Sequence, residues 1–221
     1  WHYAWVIVAI GAVMQMVGAS IRMGFGVFID PLSHTFGWDQ GAITLAYAIN
    51  SVVSAIASPV AGWIGDRYGT RKAMSLGGLM FIAGMILTGV MDHPWQFYLT
   101  FGVLLGIAQA ILLVPLVPGV MRWYRRQLGW GMGILMASWG LGPAITVPLM
   151  GYLIVHLGWQ ITFWATAGGS TVIMAILIYL YKNTPSDIGT DPYGTLTGEY
   201  VEEEMVIDKA RAKTFVGYMK K

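Results

Sequence analysis

The stretch that decides the fold is GWIGDRYGTRK, residues 62–72, a charged segment between two long apolar runs. It carries one acid and three bases: Asp66, Arg67, Arg71 and Lys72. Three glycines give the backbone the freedom for a tight reversal: Gly62, Gly65 and Gly69. A short charged turn between two apolar segments is expected at a membrane surface, where the charges stay in water.

The composition supports a membrane protein, because 56% of the residues are apolar and only 11% are charged. Five stretches lack Asp, Glu, Lys and Arg: 1–21, 40–65, 73–91, 93–121 and 127–181. A helix needs about 20 residues to cross a hydrocarbon core of about 30 Å. The last stretch, at 55 residues, is too long for one helix, and the polar segment HLGWQ at 156–160 divides it.

The pattern therefore predicts an all-α polytopic membrane protein with a transmembrane domain over residues 1–182. Its six helices are expected near 4–29, 40–64, 73–91, 95–120, 129–155 and 160–181. Residues 183–221 are polar and predict a linker. The chain starts on Trp1, without Met, and looks truncated at that end.

The positions of the basic residues predict the orientation. If six helices alternate, seven bases fall on one side: Arg67, Arg71, Lys72, Arg122, Arg125, Arg126 and Lys182. Five more follow residue 182, on the same side, and the opposite loops hold none. By the positive-inside rule both termini are expected in the cytoplasm, and the plasma or inner membrane is the expected location. The net charge of +2 then reflects topology and gives no indication of a nucleic-acid partner.

The charged turn resembles the Gly-x-x-x-Asp-Arg-x-Gly-x-Arg-Lys motif that joins helices two and three in transporters of the major facilitator superfamily. Three further stretches resemble the oxalate/formate antiporter and monocarboxylate transporter families. They are GFGVFIDPLSHTFGWDQGAI at 24–43, RWYRRQLGWGMGILMASWGLGP at 122–143 and NTPSDIGTDPYG at 183–194.

The resemblance implies a twelve-helix transporter of two six-helix halves, each built from 3+3 inverted repeats, with substrate held near the membrane midplane between them. This chain would be the amino-terminal half and linker, and its partners would be the carboxy-terminal half, the bilayer and a small organic anion. The motif residues would latch the cytoplasmic ends: Gly62, Asp66, Arg67, Gly69, Arg71 and Lys72.

Arg22 is the candidate charge of the substrate site, since it is the only ionised residue inside the six expected spans. A base at membrane depth costs roughly 2.5–3.5 kcal/mol on insertion scales, so something must compensate. A guanidinium matches a carboxylate with two parallel hydrogen bonds, which predicts an anion ligand. The alternative is that Arg22 reaches the outer interface or pairs with Asp30.

Further candidate ligands are uncharged. Gln15 lies seven residues before Arg22, on the same face of helix one. Helix two carries a polar stripe that either lines a cavity or packs against another helix: Tyr47, Asn50, Ser54 and Ser58. In the family that this chain resembles, helices one and four line the central cavity, which favours Gln109. Ser138 and Trp139 lie on a glycine-rich helix five whose small residues mainly predict close packing.

These observations predict secondary active transport of small organic anions, either monocarboxylates or dicarboxylates such as lactate, formate or oxalate, by alternating access. Proton symport and anion exchange both stay open. Within the superfamily the alternative is a multidrug or sugar porter. An intramembrane hydrolase would need a catalytic His or second Asp at membrane depth, and a non-transporting receptor would differ only in a flux assay. The six expected spans contain no His, Asp or Glu, so we expect no enzymatic activity. We expect no metal or cofactor, since the chain has no cysteine and its 14 Met are scattered.

Overall fold

The computed structural model describes residues 2–124 and 128–193. Within these ranges six helices are long and apolar enough to cross a membrane. They correspond to the six helices that the sequence predicts. They are α1 (Tyr3–Phe36), α2 (Gln40–Tyr68), α3 (Thr70–Gly89), α4 (Pro94–Met121), α5 (Leu128–Leu157) and α6 (Trp159–Leu180). A short 3-10 helix, Pro185–Ile188, follows α6. The protein is thus an all-α, multi-pass membrane protein.

The first helix is longer than the sequence predicts. It continues past residue 29 through Pro31 to Phe36 and ends where Gly37 adopts a left-handed conformation with φ of 67°. The expected outer loop at 30–39 therefore shrinks to residues 37–39. The 34 residues of α1 span about 50 Å, so the helix extends beyond the hydrocarbon core.

The charged motif also differs from the expected loop, because its residues lie in the ends of two helices. Asp66 and Arg67 belong to the last turn of α2, and Arg71 and Lys72 to the first turn of α3. Gly69 alone separates the helices, with φ of 89°, a value that residues with a side chain rarely adopt. The glycine at this position is therefore what allows so short a connection.

The fourth helix is irregular. An α-helical turn, Pro94–Phe97, leads into a π-helical segment, Tyr98–Leu104, which is followed by α-helical Leu105–Leu113 and Leu116–Met121. Pro115 and Pro118 lack an N–H, which explains the interruption between the last two pieces.

The helices α1 and α4 form the centre of the bundle. In their most apolar stretches 67% and 61% of the residues are buried, against 17% in both α2 and α5. The most extensive pairings join α1 to α5 and α2 to α4. Glycines permit close approach: a Cβ at Gly142 would lie 2.6 Å from the Met16 carbonyl oxygen, and one at Gly77 would lie 2.8 Å from the Leu112 nitrogen.

The chain after α6 returns along one end of the bundle. The side-chain oxygen of Asn183 accepts from the Arg71 N–H at 2.8 Å, and the Tyr193 N–H donates to the Trp123 carbonyl at 2.8 Å. The ring of Tyr193 packs edge-on against Trp5. Burial raises the pKa of Tyr181 to about 12. The start of the expected linker is thus held against the bundle, and its residues 194–221 lie outside the described part of the chain.

Candidate functional site

A cleft of about 230 Å³ brings together three of the predicted ligands. Gln15 and Arg22 reach it from α1, and Gln109 reaches it from α4. Side chains of α2 and α5 complete the wall. The lining residues are Gln15, Gly18, Ala19, Arg22, Ser54, Ser58, Gln109, Ala110, Leu113, Val114 and Trp139. Polar groups from three helices therefore surround one space.

The guanidinium of Arg22 is held at this cleft by α2. Its Nε donates to the Tyr47 hydroxyl at 3.4 Å, and its Nη2 donates to the Ser51 hydroxyl at 3.2 Å. The guanidinium also lies over the Tyr47 ring, 5.9 Å from its centroid. These neutral partners orient the planar guanidinium but do not neutralise its charge. They use two of its five N–H donors, which leaves donors for a ligand.

No carboxylate compensates this charge among residues 2–124 and 128–193. The one ion pair found there joins Arg122 and Asp66. Asp30, the alternative partner for Arg22, instead accepts a hydrogen bond from the Gln40 amide at 2.8 Å. Arg22 is therefore a half-buried positive charge that faces a polar cleft without a counter-ion from the described residues.

The other three predicted ligands have different positions. Tyr47 contacts Arg22 as its acceptor. Asn50 is 1% exposed, and its amide donates to the Phe101 carbonyl at 2.8 Å between α2 and α4. Ser138 is buried and donates to the carbonyl of Ile134 in its own helix at 2.6 Å. The structure therefore does not bring Tyr47, Asn50 and Ser138 into the lining of this cleft.

Ser51 is a contact of Arg22 that the sequence did not single out. It lies four residues after Tyr47, so both side chains share one face of α2. This spacing is the only feature of the sequence that could have predicted the contact. A serine one turn from a tyrosine is common in apolar helices, so the spacing alone does not predict a contact with Arg22.

A second cavity, of about 40 Å³, lies among aromatic and methionine side chains that include Phe25, Phe28 and Phe163. Its two threonines already donate hydrogen bonds elsewhere, Thr88 to Thr100 and Thr166 to the Thr162 carbonyl. The cavity is therefore too small and too apolar to bind an anion.

The charged motif forms separate contacts at the end of the bundle. Asp66 accepts a hydrogen bond from Arg122, at the end of α4, over 3.1 Å. The Arg67 guanidinium lies 5.3 Å from the Trp63 ring centroid. Arg71 donates to the carbonyls of Ile178 and Tyr179 at the end of α6, both at 3.2 Å. Lys72 is exposed, and a Cβ at Gly62 would contact nothing. The motif thus ties α2 to α4 and α3 to α6.

Comparison with known proteins identifies the family. A model described as Major Facilitator Superfamily matches residues 8–210, which is most of the chain. The chain belongs to the major facilitator superfamily. Membership of this family favours transport over an enzymatic activity.

Two curated proteins are similar to this chain over most of its length. Monocarboxylate transporter 13 of Bos taurus is 24% identical over 158 residues, which are 72% of this chain and 37% of that protein. The oxalate:formate antiporter of Oxalobacter formigenes is 24% identical over 176 residues, which are 80% of this chain and 41% of that protein. The chain therefore spans well under half the length of these relatives.

Solved structures of transporters share the fold of this chain. Peptide transporter POT in complex with sulfate has a TM-score of 0.69 at 16% identity, covering 98% of this chain and 45% of that one. A POT family transporter in complex with 5-aminolevulinic acid has a TM-score of 0.68 at 18% identity, covering 96% of this chain and 46% of that one.

Proposed function

We propose that this chain is the amino-terminal half of a secondary active transporter for small organic anions that works by alternating access. The observation that carries the proposal is Arg22, a half-buried guanidinium that faces a polar cleft without a carboxylate partner in the described ranges. A carboxylate substrate supplies the missing charge and matches the fork with two hydrogen bonds. Gln15 and Gln109 add amide hydrogen bonds across the same cleft.

The resemblance to a monocarboxylate transporter and an oxalate:formate antiporter supports the same class of substrate. A porter of cationic drugs is disfavoured, because a lone positive charge repels its substrate. A sugar porter is also disfavoured, because a neutral sugar carries no charge to pair with the guanidinium of Arg22. Monocarboxylates and dicarboxylates both fit the site as far as this half defines it.

The exposed faces of α2 and α5 support a second six-helix half as the partner. Few of their residues are buried within the described bundle, although both helices are apolar. In the proposed transporter, these faces and the open side of the cleft meet the carboxy-terminal half. The substrate lies between the halves, and the termini of this half face the cytoplasm.

The test is anion binding by Arg22→Gln in the full-length transporter. Loss of a desolvated charge partner should weaken binding of lactate, formate or oxalate, whichever the parent protein binds, by about 2–5 kcal/mol. Expression should be normal or better, because the buried charge is removed. Asp30→Asn is the control: it removes a carboxylate that Gln40 contacts and should leave binding unchanged. Binding near the parent value in Arg22→Gln would remove Arg22 from the site.

A further inference from the structure

The π-helical segment of α4, Tyr98–Leu104, leaves one backbone carbonyl in need of a partner. In a π-helix each N–H bonds to the carbonyl five residues back, as the Leu105 N–H does to Thr100. The α-helix that follows bonds four residues back. Where the pattern changes from five to four residues, the N–H of Leu105 bonds to Thr100 and the next N–H bonds beyond Phe101. The carbonyl of Phe101 therefore receives no hydrogen bond from its own helix. An unpaired carbonyl in the apolar interior is costly, so a donor from elsewhere is required.

Asn50 supplies that donor. Its side-chain Nδ2 donates to the Phe101 carbonyl at 2.8 Å, and the residue is 1% exposed. Glycines on α4 bring the two helices close enough for this bond: a Cβ at Gly106 would lie 2.9 Å from the Asn50 carbonyl oxygen. The bond thus joins α2 to α4 at the carbonyl that the π-helical segment leaves without a helical donor.

The same segment leads to Arg22 through a stack of aromatic rings. The Phe101 and Phe25 rings lie 4.7 Å apart at an interplanar angle of 27°, and those of Phe25 and Tyr47 lie 5.5 Å apart at 23°. The Tyr47 hydroxyl then accepts from Nε of Arg22. Tyr47 also lies three residues before Asn50, on the same face of α2.

We infer that Asn50 is a positioning residue for the anion site, because its bond to Phe101 fixes the π-helical register and the Phe101–Phe25–Tyr47 stack carries that register to the guanidinium of Arg22. The inference rests on the proposed function in taking Arg22 as the charge that meets the anion. Without the Asn50 donor, the α-helical register becomes the better one for α4. A shift by one residue turns the helix by about 100°, which carries rings out of the stack.

The experiment measures the electrostatic potential in the cleft, which does not require the substrate to be known. Residues 1–221 contain no cysteine, so Ser54→Cys places a single thiol of this chain in the cleft wall. In the full-length protein in lipid nanodiscs, its reaction rates with 2-sulfonatoethyl methanethiosulfonate, an anion, and 2-(trimethylammonium)ethyl methanethiosulfonate, a cation, are compared. The anion-to-cation rate ratio reports the nearby charge and cancels changes in access.

In the Ser54→Cys background, Arg22→Gln should lower the anion-to-cation rate ratio, because it removes the positive charge near the thiol. Asn50→Leu should also lower the ratio, by about threefold or more, because it moves that charge. Phe101→Leu keeps the backbone carbonyl and its Asn50 bond but breaks the stack, so it should reproduce the effect even if Asn50→Leu folds poorly. Thr70→Val is the matched control. Thr70 is also 1% exposed and also donates to an α4 carbonyl, that of Pro115, but has no contact with the stack.

A parent-like ratio in Asn50→Leu or Phe101→Leu would overturn the inference. So would an equal fall in Thr70→Val, since the effect would then be general loosening of the bundle. Binding of lactate, formate and oxalate separates the two proposals and should weaken about tenfold in Asn50→Leu. If the ratios behave as expected but the parent binds none of these anions, the proposed function fails while the positioning role of Asn50 stands.

Discussion

At the scale of single residues, the hydroxyls of Tyr47 and Ser51 hold the Arg22 guanidinium beside the cleft. Arg22 is the only ionised residue within the six spans that the sequence predicts, and its energetic cost requires an explanation. The serine that contacts it, Ser51, gave no such signal. Asn50 and Tyr47 belonged to a recognisable polar stripe, but the stripe could not tell a cavity wall from a helix contact. That difference depends on how α2 is rotated against α4, which only the packed structure defines.

Arg22→Lys tests whether the geometry of the fork matters as well as its charge. The two contacts from Tyr47 and Ser51 hold a planar guanidinium, and an ammonium cannot make both and present a second pair of donors. We expect anion affinity in the full-length transporter to fall by about 1–3 kcal/mol, measured as dissociation constants. A lysine variant that binds as well as the parent would show that charge alone suffices.

At the scale of helices, the sequence predicted all six spans, because uninterrupted apolar runs are a strong signal at membrane length. The ends were harder to place. α1 continues past residue 29 because Pro31 is accommodated inside the helix, and charged Asp66 and Arg67 continue α2 by a full turn. A charged residue is therefore a poor marker of a helix end, because a helix that leaves the membrane can carry its charged turn into water. The π-helical segment of α4 has no signature in the apolar sequence.

Two glycines of α5, two residues apart, provide a matched test of helix packing. Gly142 lies against the backbone of Met16 in α1, whereas a Cβ at Gly140 would meet nothing within 4 Å. Gly142→Ala should therefore destabilise the protein by about 1–3 kcal/mol, because backbone atoms cannot move aside. Gly140→Ala should be neutral or stabilising by up to about 1 kcal/mol, because alanine favours the helix. Thermal or denaturant unfolding in detergent measures both, and equal effects would contradict the close α1–α5 contact.

At the scale of the whole molecule, the helix pairings fit the inverted repeats that the sequence resemblance implies. Exchanging α1 with α4 and α2 with α5 turns the α1–α5 pairing into the α4–α2 pairing, and these are the most extensive pairings in the bundle. The pairing of α3 with α6 maps onto itself. The fit is partial, because the α3–α4 pairing is about as extensive as α1–α5 whereas its counterpart, the α6–α1 pairing, is much smaller. The sequence could not establish this arrangement directly, because no repeated motif is visible in the two sets of three helices. The proposed carboxy-terminal half would supply the open wall of the cleft, so residues 1–221 do not predict that wall.

In the proposed transporter, the charged motif is where this chain should affect the transport cycle. Its acid, Asp66, pairs with Arg122 of the same half, and its 72% exposed side chain means that the pair adds only about 0–1 kcal/mol to stability. A latch role therefore predicts an effect on conformation that exceeds the effect on stability. In the full-length transporter Asp66→Lys should shift accessibility labelling towards the inward-open state, with little change in unfolding temperature and a modest loss of anion affinity.

The double variant Asp66→Lys with Arg122→Asp distinguishes the pair from the acid itself. If the α2–α4 ion pair is what fixes the helix ends, exchanging the charges should restore the parent distribution of states, because the attraction is restored in the opposite sense. Arg122→Gln alone should then give part of the shift seen for Asp66→Lys. If the double variant stays inward-open, Asp66 acts on a partner other than Arg122, and the proposed carboxy-terminal half is the place to look for it. Unchanged populations in Asp66→Lys would reject the latch role altogether.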